Sequence, residues 1–188
     1  ITIMESSLAP GAKSMDGNTF WLGTDDQGRD LVSAIVFGLR ISIMVGIISG
    51  VLAVVIGTSV GIVSAYVGGR TDNLIMRVVD LFLGFPSFLI ALICLAVLGR
   101  GADKVVLALV LSQWATFARI VRGVAIAERE KEYMDAARGL VLPTSRIIFG
   151  HLLPNCLAPL IVVATMNVAF SITLEASLSF LGVGLPIT

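Results

Sequence analysis

The fold is decided by one stretch of the chain, residues 41–67, which reads ISIMVGIISGVLAVVIGTSVGIVSAYV and contains no charged side chain. The hydrocarbon core of a bilayer takes about 20 apolar residues of helix, so this run is long enough to cross it. The core of a soluble protein does not need an uncharged run of this length. We therefore expect an all-α, polytopic integral membrane bundle.

The composition of the whole chain supports the same class. Hydrophobic residues make up 56% of the chain and charged residues 14%, with a mean hydropathy of +0.97. Soluble domains carry about 25% charged residues. The formal net charge is zero, so no basic field favours nucleic acid. The two cysteines, Cys94 and Cys156, form no CxxC or Cys/His cluster, and we interpret them as packing residues.

Three further segments complete a predicted set of four spanning helices. The second span is 73–98, and the fourth is 155–174. The third is free of charge only over residues 105–118, which is a little short of a span. It reaches spanning length if its helix continues to Ala127, because two arginines near its end can snorkel to the headgroups.

The basic residues predict the orientation of these spans. Eight of the 13 Lys and Arg residues lie on, or near, the side that holds the loop between the third and fourth spans: Arg70, Arg77, Arg119, Arg122, Arg129, Lys131, Arg138 and Arg146. The positive-inside rule places that side in the cytoplasm. Residues 1–40 are then an extracytoplasmic segment, and residues 41–188 are a transmembrane domain with a cytoplasmic loop at 128–154.

The loop 128–154 has features of a docking element. Residues 128–138 favour a helix, and the adjacent small side chains of Ala136 and Ala137 leave a surface that the backbone of another protein can approach. Because the loop is attached directly to two spans, a partner that moves it would move them as well. The alternative is a solvated loop whose charges only set the topology.

The ends of two short helices can be predicted within this loop. Gly139 and Pro143 would end the first helix. Thr144 or Ser145 would cap the second, and Pro154 would stop it. We therefore expect a short helix-turn-helix that projects from the membrane.

The sequence lacks the motifs of ATP hydrolysis and of common catalytic sites. It has no GxxxxGK[ST], no HExxH and no GxSxG, and its single histidine, His151, has no second metal ligand beside it. We predict neither catalysis nor a metal site in this chain.

Four parts of the chain resemble a known family: the loop, the stretch 21–30, Asp80 with Phe85-Pro86-Ser87, and the stretch 174–182. The loop contains two triplets, Asp135-Ala136-Ala137 and Leu153-Pro154-Asn155. Their types and spacing resemble the EAA loop of membrane subunits in bacterial ABC importers, which docks on the partner ATPase. The upstream stretch 21–30, WLGTDDQGRD, is similar to the segment before the second membrane helix of dipeptide, oligopeptide and nickel permeases, specifically their second permease subunit.

The chain departs from the family pattern at two positions of the loop. The acid is usually Glu and is here Asp135, which is a mild change. The usual glycine falls on Val141, and a β-branched residue disfavours the positive φ that such a turn uses. Gly139, two residues earlier, is the candidate to take over the turn. Without it, docking would be altered or weak.

The resemblance implies a fold, a function and partners. It implies the type I ABC importer permease fold, with four of six spanning helices present, one lying before residue 1 and one after residue 188. It implies half of an import pathway for di- or oligopeptides, nickel or glutathione in the bacterial inner membrane. The implied partners are a homologous permease, two ATP-binding subunits that carry ATP and Mg²⁺, and an extracytoplasmic solute-binding protein. No cofactor and no nucleic acid are expected in this chain. A rival hypothesis is a membrane scaffold that recruits a soluble partner without transport.

The docking site predicted from the resemblance consists of six residues of the loop: Asp135, Ala136, Ala137, Gly139, Leu153 and Pro154. Separately, the first span carries a stripe of small residues, formed by Gly46, Gly50, Gly57 and Gly61. This stripe favours close helix packing over a role in substrate passage.

Four polar residues within the spans have specific interpretations. Arg77 and Asp80 are three apart, so we expect them to pair on one helix face. Asn167 is placed near the midplane, where its amide either bonds a neighbouring helix or faces the translocation path. Glu175 falls at the outer interface, where a structural or gating role is favoured over a proton relay.

Overall fold

The computed structural model describes residues 5–14, 17 and 19–184, apart from the side chain of Arg138. A short hairpin, β1 (Ala12–Lys13) and β2 (Thr19–Phe20), precedes helix α1 (Leu31–Val67). The other helices are α2 (Gly69–Leu83), α3 (Ser87–Leu98), α4 (Ala102–Arg129), α5 (Glu132–Gly139), α6 (Thr144–Ile147) and α7 (Leu153–Phe180). A π-helical turn, Ile148–Leu152, joins α6 to α7. The chain forms two compact units, and their boundary falls inside α1, between Met44 and Val45.

Helix α1 starts ten residues before the predicted span because an aspartate caps its first turn. The carboxylate of Asp30 accepts hydrogen bonds from the backbone N–H and the hydroxyl of Ser33, at 3.0 and 2.5 Å. The same carboxylate accepts a third, longer bond from the N–H of Val32. These bonds satisfy N–H groups that the first turn of a helix leaves without partners. The cap lets the helix begin within the segment that we had predicted to be entirely extramembrane.

The glycines of α1 are sites of close helix packing, as the stripe predicts. A Cβ added at Gly57 would lie 2.5 Å from the Cβ of Phe117 and 2.5 Å from the carbonyl oxygen of Trp114, both in α4. A Cβ added at Gly46 would lie 2.7 Å from the side chain of Ile172 in α7. All four glycines are buried, so α1 approaches α4 and α7 at positions where only a hydrogen fits.

The prediction of one continuous second span at 73–98 is wrong. The segment is broken between α2 and α3, whose axes differ in direction by 86°. The break lies at Gly84-Phe85-Pro86. Proline has no N–H to continue the helix, and its ring pushes the preceding residue out of the helical region, so the helix ends before it.

Helix α4 confirms that the third segment is long enough to span. It continues to Arg129, two residues beyond the predicted limit at Ala127. By length and composition, three helices among the described residues could cross a membrane: α1, α4 and the continuous segment Thr144–Phe180. The bent pair α2 and α3 raises the number to four if it counts as one span.

The prediction that Pro154 stops a separate short helix is also wrong. Helix α6 continues through the π-helical turn into α7, so residues 144–180 form one helical segment. The proline ring would clash with the carbonyl of Gly150, four residues earlier, in a regular helix. Gly150 lies in the π-helical turn, where the wider backbone accommodates the ring.

Candidate functional site

The loop between α4 and α6 contains a short helix with two distinct faces. Met134 is fully buried and Ala137 is 5% exposed, and both belong to a hydrophobic cluster with residues of α1, α4, α6 and α7. Asp135 and Ala136, on the other side of α5, are exposed. Helix α5 is therefore seated on the bundle by one face and presents the other face outward.

This arrangement differs from the surface that we predicted for the triplet Asp135-Ala136-Ala137. We had expected Ala136 and Ala137 to form one approach surface, but only Ala136 is exposed, and Ala137 packs inside the chain's own core. Residues 134 and 137 are three apart, which places them on the same side of a helix. Of the other predicted docking residues, Leu153 is half-buried against the same cluster, and Pro154 is exposed.

The turn that follows α5 uses Val141 rather than Gly139. Val141 has a φ of 54°, whereas Gly139 lies in the last turn of α5, outside the left-handed region. The N–H of Leu142 donates to the carbonyl of Ala137 at 3.4 Å, which is the long hydrogen bond of a Schellman motif. Val141 thus occupies the position after the helix end where glycine is usual. The prediction that Gly139 takes over the turn is wrong.

The end of α1 contacts both ends of the loop. The guanidinium of Arg129 donates to the carbonyl of Ala65 and lies 5.9 Å from the ring centroid of Tyr66. The hydroxyl of Tyr66 donates to Thr144 Oγ1 at 3.2 Å. Thr144 was predicted as a helix cap, but α6 has no side-chain cap hydrogen bond, and Pro143 precedes its first turn.

A polar network that the sequence analysis missed joins α4, α5 and α7. The carboxylate of Glu128 accepts hydrogen bonds from Tyr133 Oη at 2.7 Å and from Lys131 Nζ at 2.6 Å. Asn155 Nδ2 in turn donates to Tyr133 Oη at 3.0 Å. Burial, and to a smaller extent the nearby Glu128 carboxylate, raise the pKa of Tyr133 to about 12. Tyr133 therefore stays a neutral donor, and it holds α5 between the ends of the two long helices.

The acidic residues of α2 form different pairs from those predicted. Asp80 pairs with Arg119 of α4, so the prediction that it pairs with Arg77 is wrong. Asp72, which the sequence analysis did not single out, receives two hydrogen bonds from Arg122, each 2.5 Å long. Both acids lie on α2 and both arginines on α4, so these pairs connect the two helices.

The midplane candidate, Asn167, bonds within its own helix. Its side-chain amide is half-buried and donates to the carbonyl of Val163 at 3.2 Å. A buried interhelical polar contact is made instead by Gln113 of α4 and Ser171 of α7, whose side chains lie 2.8 Å apart. Glu175 is buried as well and accepts a hydrogen bond from Ser179 at 2.7 Å. A role of Asn167 in the translocation path stays a prediction.

Comparison with known proteins gives matches along most of the chain. The family model described as "Binding-protein-dependent transport system inner membrane component" matches residues 53–188. The chain is 39% identical over 166 residues to the oligopeptide transport system permease protein OppC of Bacillus subtilis (strain 168), covering 88% of this chain and 54% of that protein. It is 38% identical over 164 residues to the glutathione transport system permease protein GsiD of Pectobacterium atrosepticum, covering 87% and 54%.

A solved structure shares the fold. Inward-facing MetNI, a methionine ABC transporter, superposes on 82% of this chain and 77% of its own, with a TM-score of 0.73 and 20% identity. The chain spans about half the length of the curated relatives that it matches. The family match covers well over half of the chain, and two relatives exceed 30% identity over more than four fifths of it. This polytopic helical membrane protein therefore belongs to the family of binding-protein-dependent transport system inner membrane components.

Proposed function

We propose that this chain is a membrane-spanning subunit of an ATP-driven importer in the bacterial inner membrane and forms half of its translocation pathway. In this proposal it pairs with a homologous permease, receives solute from an extracytoplasmic binding protein, and assembles with two ATP-binding subunits that hold ATP and Mg²⁺. Family membership supports this function, and the lack of a nucleotide-binding motif in the sequence is consistent with the proposal that the partner subunits hydrolyse ATP.

The observation that carries the proposal is that α5 packs against the bundle with one face and exposes the other. A docking element must expose one face to its partner and be fixed to the helices that it moves. Asp135 and Ala136 supply the exposed face, while Met134 and Ala137 fix α5 to the hydrophobic cluster. A partner that displaces α5 would then also displace α4 and α7, since both helices contribute to that cluster.

The proposed solute class is peptides or a chemically related solute. The relatives are named as oligopeptide, dipeptide and glutathione transport permeases, and glutathione is itself a small peptide. The resemblance of the sequence to nickel permeases keeps nickel within the proposal. A radiolabelled dipeptide, glutathione and Ni²⁺ can be compared in uptake assays on the same cells.

The docking proposal is tested on the full-length subunit in complex with its partner permease and ATP-binding subunits. Ala136→Trp puts a bulky side chain on the outward face of α5, and Asp135→Arg reverses a charge there. We expect each change to reduce co-purification of the ATP-binding subunits and solute uptake by about tenfold or more, the effect of disrupting a well-packed contact at the centre of an interface. The matched control is Ala102→Trp, at an exposed position at the opposite end of α4.

The outcome that contradicts the docking proposal is an Ala136→Trp complex that keeps both its ATP-binding subunits and its uptake. Ala137→Trp is unsuitable for this test because it would disrupt the chain's own core. Loss of uptake in Ala102→Trp as well would show that the assay reports general damage to the subunit rather than docking.

A further inference from the structure

Helix α2 runs across the pair formed by α3 and α4. The axes of α2 and α3 differ in direction by 86°. Helix α3 turns back into α4 at residues 99–101 and packs along it, so α2 lies at a steep angle to α4 as well. Two ion pairs connect α2 to α4 at the crossing, Asp72 with Arg122 and Asp80 with Arg119.

The crossing lies near one end of the membrane-spanning part of α4. Arg119 and Arg122 follow Lys104, the first base of α4, by 15 and 18 residues, or about 22 and 27 Å along the helix. The hydrocarbon core is about 30 Å thick. If Lys104 lies at one interface, the two arginines lie near the other, on the side of the docking loop. A helix that crosses α4 there is close to the membrane plane.

The outward face of α2 suits that interface. Its exposed apolar residues, Leu74, Val78 and Leu81, recur at helical spacing, and Leu74 and Leu81 are 66% and 63% exposed. Arg70 and Arg77 lie beside this stripe, and both are exposed. Apolar side chains next to bases are the pattern of helices that lie in the interface.

The outward face of α2 carries a net positive charge because two arginines of α4 neutralise both acids of α2. Asp72 and Asp80 form ion pairs with Arg122 and Arg119, away from the apolar stripe. In the part of the chain that the structure describes, no ion pair is found for Arg70 or Arg77. The charge left on the outward face therefore favours an anionic ligand.

We propose that α2 is an in-plane amphipathic helix at the interface on the docking-loop side, and that Arg70 and Arg77 bind the phosphates of anionic lipid headgroups. The apolar stripe enters the acyl region, and the two guanidinium groups stay at headgroup level. Helix α3, together with the turns on either side of it, then supplies the second crossing. This proposal concerns the placement of α2 and does not depend on the docking of α5.

The in-plane placement is tested by measuring depth in the assembled full-length complex. Cys94 and Cys156 are replaced by alanine, and single cysteines at Leu74 and Leu81 carry a fluorophore that is quenched by lipids spin-labelled at known depths. The two positions are about 10 Å apart along α2. In-plane placement predicts equal depths, and a transverse helix predicts a difference near 10 Å, which would overturn the proposal. Leu89 and Val97 of α3, both exposed, form the control pair and should differ by about 12 Å.

Lipid binding is tested in nanodiscs that contain equal amounts of phosphatidylcholine and phosphatidylglycerol. We expect the purified complex to retain phosphatidylglycerol preferentially, and Arg70→Gln and Arg77→Gln each to reduce this preference by about fivefold. Arg100→Gln, at an exposed position beyond the far end of α3, is the matched control and should leave the preference unchanged. An equal preference for phosphatidylglycerol in all variants would overturn the assignment of the two arginines. So would arginine variants that lose the partner permease from the complex but keep their preference for phosphatidylglycerol.

Discussion

Val141 holds a backbone conformation that its side chain disfavours. The left-handed region costs an L-residue about 1–2 kcal/mol, and branching at Cβ adds to the crowding. The surroundings impose this conformation because Leu142, the next residue, packs against the core cluster and bonds back to Ala137. The Val141 side chain is 88% exposed, so it gains little by burial. The strain is therefore local and can be relieved by one substitution.

We predict that Val141→Gly stabilises the subunit by about 1 kcal/mol, because relief of the left-handed strain exceeds the greater chain entropy that glycine gives to the unfolded state. The measurement is thermal unfolding of the full-length subunit in detergent. Gly139→Ala is the companion variant and should be neutral or stabilising, because Gly139 is helical and its Cβ would meet no atom within 4 Å. Destabilisation by Gly139→Ala would mean that Gly139, not Val141, forms the turn in solution.

The sequence predicts the chemistry of these residues better than their directions. The charged loop and its acid-Ala-Ala triplet are visible at once, but the direction of each side chain depends on the phase of α5 against the bundle. A signal was available, since Met134 and Ala137 share a helix face and Met134 is apolar. The positive φ of Val141 could not be predicted, because it follows from packing of Leu142 in a core that forms only in the folded chain.

At the scale of helices, hydrophobicity predicts the apolar segments but not all of their ends. The run 41–67 correctly predicts a long helix, and the Asp30 cap that extends it depends on a local hydrogen-bonding geometry. Pro86 and Pro154 look alike in sequence, yet one ends a helix and the other does not. The difference lies in the π-helical turn before Pro154, which residue type alone does not indicate.

The glycine stripe allows a test of packing between α1 and α4. We predict that Gly57→Ala destabilises the subunit by about 1–3 kcal/mol, because the added methyl would overlap the backbone of Trp114 and the Cβ of Phe117. The control is Gly123→Ala, also inside a helix, where an added Cβ meets no atom within 4 Å. It should be neutral, or stabilising by about 0.5–1 kcal/mol, since alanine favours helix more than glycine does. Equal melting temperatures for the two variants would contradict close packing at Gly57.

At the scale of the whole chain, contacts between distant helices determine the arrangement, and these were the least predictable. Asp72 and Arg122 are 50 residues apart, and their pairing depends on how α2 crosses α4. From local spacing alone, Arg77 was the natural partner for Asp80, because residues three apart lie on one helix face. The structure favours Arg119 because α4 packs against that side of α2. Sequence patterns within one helix carry no information about which residues of another helix lie against it.

The ion pair of Asp72 should contribute more to stability than that of Asp80. The Asp72 and Arg122 side chains are 13% and 31% exposed, and Ser64 of α1 also donates to this carboxylate at 2.5 Å, so the site joins three helices. The side chains of Asp80 and Arg119 are 61% and 51% exposed. Removing one partner of a shielded pair leaves a charge that is poorly solvated, whereas water screens an exposed pair.

We therefore predict that Asp72→Asn destabilises the full-length subunit by about 1–3 kcal/mol and Asp80→Asn by less than about 1 kcal/mol. Thermal unfolding in detergent gives both values under the same conditions. The reversed pair, Asp72→Arg with Arg122→Asp, should recover part of the loss of Asp72→Asn if the attraction between the helices is the cause. The recovery should be incomplete, because an arginine at position 72 cannot accept the hydrogen bond that Ser64 donates. A cost of Asp80→Asn equal to that of Asp72→Asn would show that shielding from solvent does not decide the strength of the contact between α2 and α4.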